Sequence, residues 1–193
     1  MRAIPALFAT LLVASAAAAD SAEWTVDPSH SQIGFSVSHL VVSTVKGHFK
    51  EFSAKAKLDD ADPTKSGVDV TIPVSSISTG DDKRDAHLKS ADFFDAANFP
   101  NIVFHSTKIA RAGGQKFKVD GELTIHGVTK PVKLDGTLSK PIKSPWGKDV
   151  RGAEISGKIN RSDYGLTWNK TLDGGGVVVG NEVKLEIAVE LNK

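Results

Sequence analysis

The feature that most constrains this chain is an alternation of apolar and polar side chains that recurs along most of its 193 residues. Near the C terminus every second residue is aliphatic, and the positions between them are mostly charged. A period of two is the period of a β-strand with one apolar face. Similar runs occur throughout the chain, so the sequence predicts about eight strands. The C-terminal row consists of Val183, Leu185, Ile187, Val189 and Leu191.

Two of these runs predict a β-hairpin. Residues 116–123 and 132–138 alternate on either side of a short segment that contains Gly127. Strands that are apolar on one face must bury that face, either against a second sheet or by closing into a barrel. The alternation alone leaves both arrangements open. A barrel of about eight strands is just wide enough to hold one small ligand.

One stretch breaks the β pattern and predicts a short helix. Arg84, His87, Leu88 and Ala91 recur at the spacing of one helical face, and Asp81 is suitably placed to cap the helix. Phe93 and Phe94 follow closely. This stretch is therefore expected to cover a cavity or to form part of a site.

The N terminus has the composition of a secretory signal peptide. Met1-Arg2 precedes an apolar run, and Ala17-x-Ala19 provides a small-residue cleavage site. The sequence therefore predicts a signal peptide over residues 1–19 and one domain over residues 20–193, located in the periplasm. The chain has no cysteine, which excludes disulfides and thiolate metal sites and suits an oxidising compartment.

Charge and motif content exclude several classes of function. The 24 basic and 23 acidic residues are interspersed, which argues against nucleic acid as a partner. The six histidines form no His-x-His, His-x-x-x-His or Glu-x-x-His pattern, so no metal site is expected. There is no Gly-x-Ser-x-Gly nucleophile elbow either, and a protein that is not an enzyme is favoured.

Several short motifs, in this order and spacing, resemble the YceI family of secreted, lipocalin-like polyisoprenoid-binding proteins. They include Trp24-x-x-Asp27-x-x-His30-Ser31-x-Ile33-x-Phe35, Arg84-Asp85-x-His87-Leu88, Asp92-Phe93-Phe94, Gly121-x-Leu123-Thr124-Ile125-x-Gly127 and Asn160-Arg161-x-Asp163-Tyr164-Gly165. The resemblance implies an all-β fold, an eight-stranded antiparallel lipocalin-like barrel with a short helix near the mouth.

The resemblance also implies a ligand and a role. The barrel interior would take a polyprenyl phosphate, an isoprenoid quinone or a similar fatty amphiphile, for storage or for transport across the periplasm. No other cofactor and no stable membrane insertion are expected, and a homodimer is compatible with the sequence. The alternatives are an accessory enzyme of isoprenoid-quinone metabolism, with His87 or His39 as acid or base, and a stress-induced periplasmic protein without lipid turnover, whose interior would be filled by side chains.

The residues expected to bind the ligand fall into an apolar and a polar group. For any single apolar member, an ordinary core role is an equal alternative. An arginine with imidazoles suits a phosphate or a quinone carbonyl, but Arg84 and Asp85 could instead pair with the backbone, Asp27 or Arg161 and hold the helix to the barrel. The apolar group is Phe35, Val37, Leu40, Phe49, Leu88, Phe93, Phe94, Phe104 and Trp168, and the polar group is His39, Arg84, His87 and Arg161, with Asp85 and His30 nearby.

Overall fold

The computed structural model describes residues 21–173 and 175–193, so the predicted signal peptide lies outside the described residues. Within these ranges, one α-helix and three short 3₁₀ helices interrupt an otherwise all-β structure. The elements are β1 (Ala22–His39), β2 (Ser43–Phe49), β3 (Ser53–Leu58), β4 (Gly67–Pro73), β5 (Ile77–Ser78), α1 (Asp82–Lys89), β6 (Asn101–Arg111), β7 (Lys116–Ile125), β8 (Val128–Leu138), β9 (Ile142–Lys143), β10 (Asp149–Asn160) and β11 (Val179–Asn192), with 3₁₀ helices at Pro63–Lys65, Val74–Ser76 and Arg161–Tyr164.

Eight of the strands close into an antiparallel barrel. Their order is β1-β3-β4-β6-β7-β8-β10-β11, and β11 pairs back with β1 to complete the ring. Closure pairs the backbone groups that an open sheet would leave at its two edges. The predicted eight-stranded antiparallel barrel with a short helix is thus confirmed.

Strand β1 is shared between two neighbours on one side. Its first residues pair with β3 and its last residues pair with β2, while β11 pairs with its other side along most of its length. Asp27–His30 has residues typical of a turn, but β1 continues through this segment with a shift in register between Asp27 and Gln32. The Asp27 carboxylate accepts the N–H of Ser29 at 2.8 Å, so the turn chemistry forms a bulge within the strand.

The helix begins as predicted and ends early. The Asp81 carboxylate accepts the N–H of Arg84 at 3.0 Å, and α1 ends at Lys89, so Ala91 lies beyond it. Leu88 and Phe94 pack against the larger buried cluster, which includes Ile72 and Ile125. We call this end of the barrel, with α1, the β7–β8 turn and the Arg161–Tyr164 segment, the helix end.

The hairpin of β7 and β8 is present, with Ile125 paired to Val128 at its turn. The other end of the barrel carries the β6–β7 turn at residues 112–115 and the connection at residues 139–148. A smaller buried cluster of Trp24, Ala56 and Leu191 lies toward that end. The two clusters leave room for a cavity along the barrel axis.

Candidate ligand-binding cavity

The inward-facing side chains enclose a cavity of about 810 Å³. The whole β11 row from Val183 to Leu191 lines it, and at ~3.4 Å per residue this row spans roughly 27 Å along the strand. Most of the lining side chains are aliphatic or aromatic. The interior is therefore elongated and apolar, and it is not filled by side chains, as the stress-protein alternative would require.

Phenylalanine rings in the wall lie against glycines of neighbouring strands. A Cβ added at any of these glycines would come within about 2.5 Å of a ring carbon. Each ring thus occupies space that the missing side chain leaves, and this thins the wall beside the cavity. The pairs are Phe35 with Gly47, Phe104 with Gly121 and Phe117 with Gly136.

The structure brings seven of the nine predicted apolar residues to the cavity wall. Leu40 and Trp168 are not among the described lining residues. Leu40 lies in the turn after β1 with φ at 53°, where the chain reverses and the alternation ends. The Trp168 ring packs 4.8 Å from the His87 ring and 5.1 Å from the Phe93 ring, so it supports a lining residue from outside. The seven lining residues are Phe35, Val37, Phe49, Leu88, Phe93, Phe94 and Phe104.

The polar residues of α1 contact the segment that precedes the helix. Arg84 donates to the Thr79 hydroxyl at 2.7 Å and to the Thr79 carbonyl at 2.9 Å. The Asp85 carboxylate accepts the Thr79 N–H at 2.9 Å. His87 Nε2 lies 2.8 Å from the Asp92 carboxylate. These contacts hold α1 and its following turn in place, and Thr79 is the partner that sequence reasoning missed.

Arg161 lines the cavity at the helix end and is almost fully buried, with 4% of its surface exposed. Its guanidinium donates to the backbone carbonyls of Gly180, Leu166 and Val179. Burial lowers the pKa of Arg161 and raises the pKa of nearby Tyr164 to about 12. The three carbonyl dipoles that accept these hydrogen bonds stabilise the positive charge of Arg161.

His39 and His30 lie apart from this cluster. His39 is half-buried at the end of β1, where it pairs with Val179 and Ser43, and it is not among the described lining residues. His30 is exposed, and its hydrogen bond to Asp27 raises the pKa of His30 and lowers the pKa of Asp27. Glu190 lies near both, so these three could hold a metal ion, although the hydrogen bond between His30 and Asp27 already accounts for the placement of that pair.

The opposite end of the cavity is polar, and sequence reasoning did not single out its residues. Arg151 is only 5% exposed and donates to the Asp60 carboxylate at 2.9 Å and to the Ser139 carbonyl at 3.0 Å. Its guanidinium also lies 5.2 Å from the centre of the Trp24 ring. Arg151 begins the same inward row of β10 that ends near Arg161, and this was the available signal. The charged lining residues at this end are Asp59, Asp60, Arg111, Lys116, Lys140 and Arg151.

None of the helices in the described ranges has the length and apolar character needed to cross a bilayer.

Known proteins of the same fold include several solved structures. Burkholderia cenocepacia BcnA is 28% identical with a TM-score of 0.76, covering 86% of this chain and 98% of its own. A Campylobacter jejuni YceI protein is 36% identical with a TM-score of 0.70, covering 81% of this chain and 89% of its own. A polyisoprenoid-binding domain of Saccharophagus degradans, 17% identical with a TM-score of 0.59, covers 87% of this chain and 97% of its own and shares the fold.

Sequence comparison leads to the same group. A UPF0312 protein of Staphylococcus aureus is 38% identical over 170 residues, which covers 88% of this chain and 96% of that protein. The YceI-like domain model matches residues 24–191. Since the match spans nearly all of the described barrel, the chain belongs to the YceI family.

Proposed function

We propose that this protein binds one long-chain isoprenoid, or a similar amphiphile, in the barrel cavity and releases it chemically unchanged. The observation that carries the proposal is the elongated apolar cavity of about 810 Å³. Burial of each methylene group stabilises a bound chain by about 0.8 kcal/mol. An elongated cavity favours a single extended chain over a compact ligand of the same volume.

The isoprenoid class is supported by the fold neighbour from Saccharophagus degradans, which is described as a polyisoprenoid-binding domain. A polyprenyl phosphate and an isoprenoid quinone both combine an apolar tail with a small polar head. The cavity has the matching polarity, because its long wall is apolar and its charged residues lie toward its ends.

Binding without turnover is supported by the contacts of the titratable groups near α1. His87 and His39, the two predicted acid or base residues of the enzyme alternative, both lie outside the set of described lining residues, and His87 is hydrogen-bonded to Asp92. Arg84 is bonded to Thr79, and Arg161 to backbone carbonyls. These groups are engaged in holding the fold.

The direct test is organic extraction of the protein purified from its native cells, followed by mass spectrometry. We expect a long-chain isoprenoid or fatty amphiphile, recovered with the same mass after prolonged incubation with the protein. An empty protein that also fails to bind polyprenyl phosphates, quinones and fatty amphiphiles would contradict the proposal. A change in the mass of the ligand would favour the enzyme alternative.

Ala54→Phe tests whether the cavity is the binding site. Ala54 lines the cavity, so an added ring would enter the tunnel and displace ligand methylenes. Loss of about two methylene contacts corresponds to an affinity loss of about tenfold. Titration with a fluorescent lipid measures affinity, and urea unfolding checks that the variant is folded.

Lys55→Phe is the matched control, because Lys55 is the next residue of β3 and is exposed. It should leave the affinity unchanged. Equal losses in the two variants, or no loss in Ala54→Phe, would place the ligand elsewhere.

We further propose storage or transport of this ligand in the periplasm, after removal of residues 1–19. Cell fractionation tests the periplasmic location, and N-terminal sequencing tests the removal of residues 1–19. A cytoplasmic protein that retains Met1 would contradict it.

A further inference from the structure

Solvent exposure along the cavity wall is confined to one end. Every described lining residue that is exposed belongs to the segment after β3, the β6–β7 turn region or the start of the connection after β8. These segments all lie at the end opposite α1. The exposed lining residues are Asp60, Arg111, Gly114, Gln115, Lys116, Lys140 and Pro141.

The helix end is covered by apolar side chains instead. Phe93 and Leu166 line the cavity there and are 6% and 5% exposed. Trp168 packs behind Phe93 with 5.1 Å between ring centres. An amphiphile is therefore more readily admitted at the end opposite α1.

The charged residues that line the cavity are also concentrated at the end opposite α1. Of the seven charged residues that line the cavity in the described ranges, only Arg161 is at the helix end, and backbone carbonyls already accept its hydrogen bonds. The other six are four cations and two carboxylates at the exposed end. We call Arg111, Lys116, Lys140 and Arg151 the basic mouth.

Both carboxylates at this end already have partners. Asp60 pairs with Arg151 at 2.9 Å. Asp59 is buried and accepts the N–H groups of Ala61 and Asp62 at 2.9 and 2.7 Å. Arg111 donates to the backbone carbonyl of Asp60. None of Arg111, Lys116 and Lys140 has a carboxylate within salt-bridge distance among the described residues, so positive charge is in excess where the cavity meets solvent.

We propose that the basic mouth binds the anionic head group of the amphiphile, a phosphate or a carboxylate, while the tail extends toward the helix end. This inference rests on the proposed function. The three cations without carboxylate partners attract the anion. Because their side chains are exposed, they can change conformation and keep contact with the anion while the ligand enters. Arg151 holds the Asp60 side chain and the Ser139 carbonyl, so it positions the segments that carry the mouth.

The proposal differs from the expectation of a head group near Arg84 and His87. Those side chains donate to Thr79 and contact Asp92, and they are not among the described lining residues. The helix end would then receive the end of the tail, against Leu88, Phe93 and Phe94.

The test compares two probes that share one tail, geranylgeranyl phosphate and geranylgeraniol. The delipidated wild-type protein should bind the phosphate about tenfold more tightly, as expected for two or three partly exposed charge pairs. Lys116→Glu/Lys140→Glu should abolish this preference while changing geranylgeraniol affinity less than twofold. The preference should also fall as salt is raised, since exposed charges are screened within about 10 Å at 0.1 M.

Lys130→Glu/Lys133→Glu is the matched control, because both lysines are exposed on β8 and neither lines the cavity. It makes the same change in net charge and should keep the preference. Urea unfolding verifies that both double variants are folded.

The outcomes separate the two proposals. Binding of both probes with equal affinity, or a preference that survives Lys116→Glu/Lys140→Glu, would overturn the head-group assignment and leave the cavity proposal standing. Failure of both probes to bind would overturn both. Inorganic phosphate alone that binds as tightly as the phosphate ester would show a site for a free anion and overturn the lipid assignment.

Discussion

At the scale of the residue, two arginines mark the ends of the inward row of β10, and they are held differently. Arg161 gives its hydrogen bonds to carbonyls of Leu166, Val179 and Gly180, and thereby ties the segment after β10 to the start of β11. Arg151 pairs with a carboxylate and packs over an indole. Arg161 is therefore expected to contribute more to stability than to ligand recognition.

Arg161→Met tests this division of roles. The substitution keeps much of the side-chain volume but leaves buried carbonyls without donors, at about 1–3 kcal/mol for each group that stays unsatisfied. We expect a loss of about 3 kcal/mol in the free energy of unfolding, measured in urea, and less than a threefold loss in lipid affinity.

Lys158→Met is the control, because Lys158 is an exposed residue of β10 that pairs with Glu182 at 3.0 Å. It should cost less than about 1 kcal/mol. Unchanged stability in Arg161→Met together with strongly reduced affinity would instead assign Arg161 to the head group.

At the scale of the element, the strands of the wall combine phenylalanine with glycine on adjacent strands. Phe117 pairs with Gly136 across β7 and β8, and a Cβ on Gly136 would lie 2.5 Å from the ring and 2.9 Å from the Glu154 carbonyl. Glycine weakens a strand interior by itself. Here its missing side chain gives a large ring a place in the wall.

Gly136→Ala should therefore destabilise the barrel by about 1–3 kcal/mol, the usual cost of overpacking. The ring would also be displaced toward the cavity, so lipid affinity should fall. Urea unfolding and lipid titration measure the two effects.

Gly152→Ala is the matched control on β10, because a Cβ there meets no atom of the described residues within 4 Å. Its stability should be unchanged or slightly higher. Similar losses in both variants would show that backbone freedom matters at these positions, and that the ring contact does not.

The elements themselves were predicted where the pattern is local. The β7–β8 hairpin and the Asp81 cap both follow from residues close together in sequence. The side chain of Asp27 forms a turn-like hydrogen bond within Asp27–His30, but pairing with β11 before and after the bulge keeps β1 continuous. Tertiary pairing thus outweighed local turn chemistry.

At the scale of the whole molecule, the barrel is hollow, so its stability should depend on its ligand. An apolar cavity lacks the contacts that a filled core provides, and a long apolar chain supplies them. At a free ligand concentration of 100 times Kd, binding adds about 2.7 kcal/mol to the free energy of unfolding.

We therefore expect the melting temperature of the delipidated protein to rise by several degrees on addition of the lipid. Ala54→Phe should show a smaller rise at the same lipid concentration. A rise of equal size in both proteins would contradict binding in the cavity.

The sequence by itself determined which side chains face inward, because the pleat of a strand converts a period of two directly into two faces. It therefore indicated an apolar interior and the residues of its wall, such as Phe35 and Phe104. It also determined the cap of α1, which depends on neighbouring residues alone.

Only the tertiary structure decided how the ring closes and which end of the cavity is exposed. Asp60, Arg111, Lys116, Lys140 and Arg151 come from separate segments, and the pairing of their strands into one ring brings them to the same end of the barrel. In the same way, Trp168 reaches the outer side of Phe93 through a long connection. Alternation fixes the face of a residue, whereas its position along the barrel axis depends on strand register and on loop paths, which are set by contacts between residues distant in sequence.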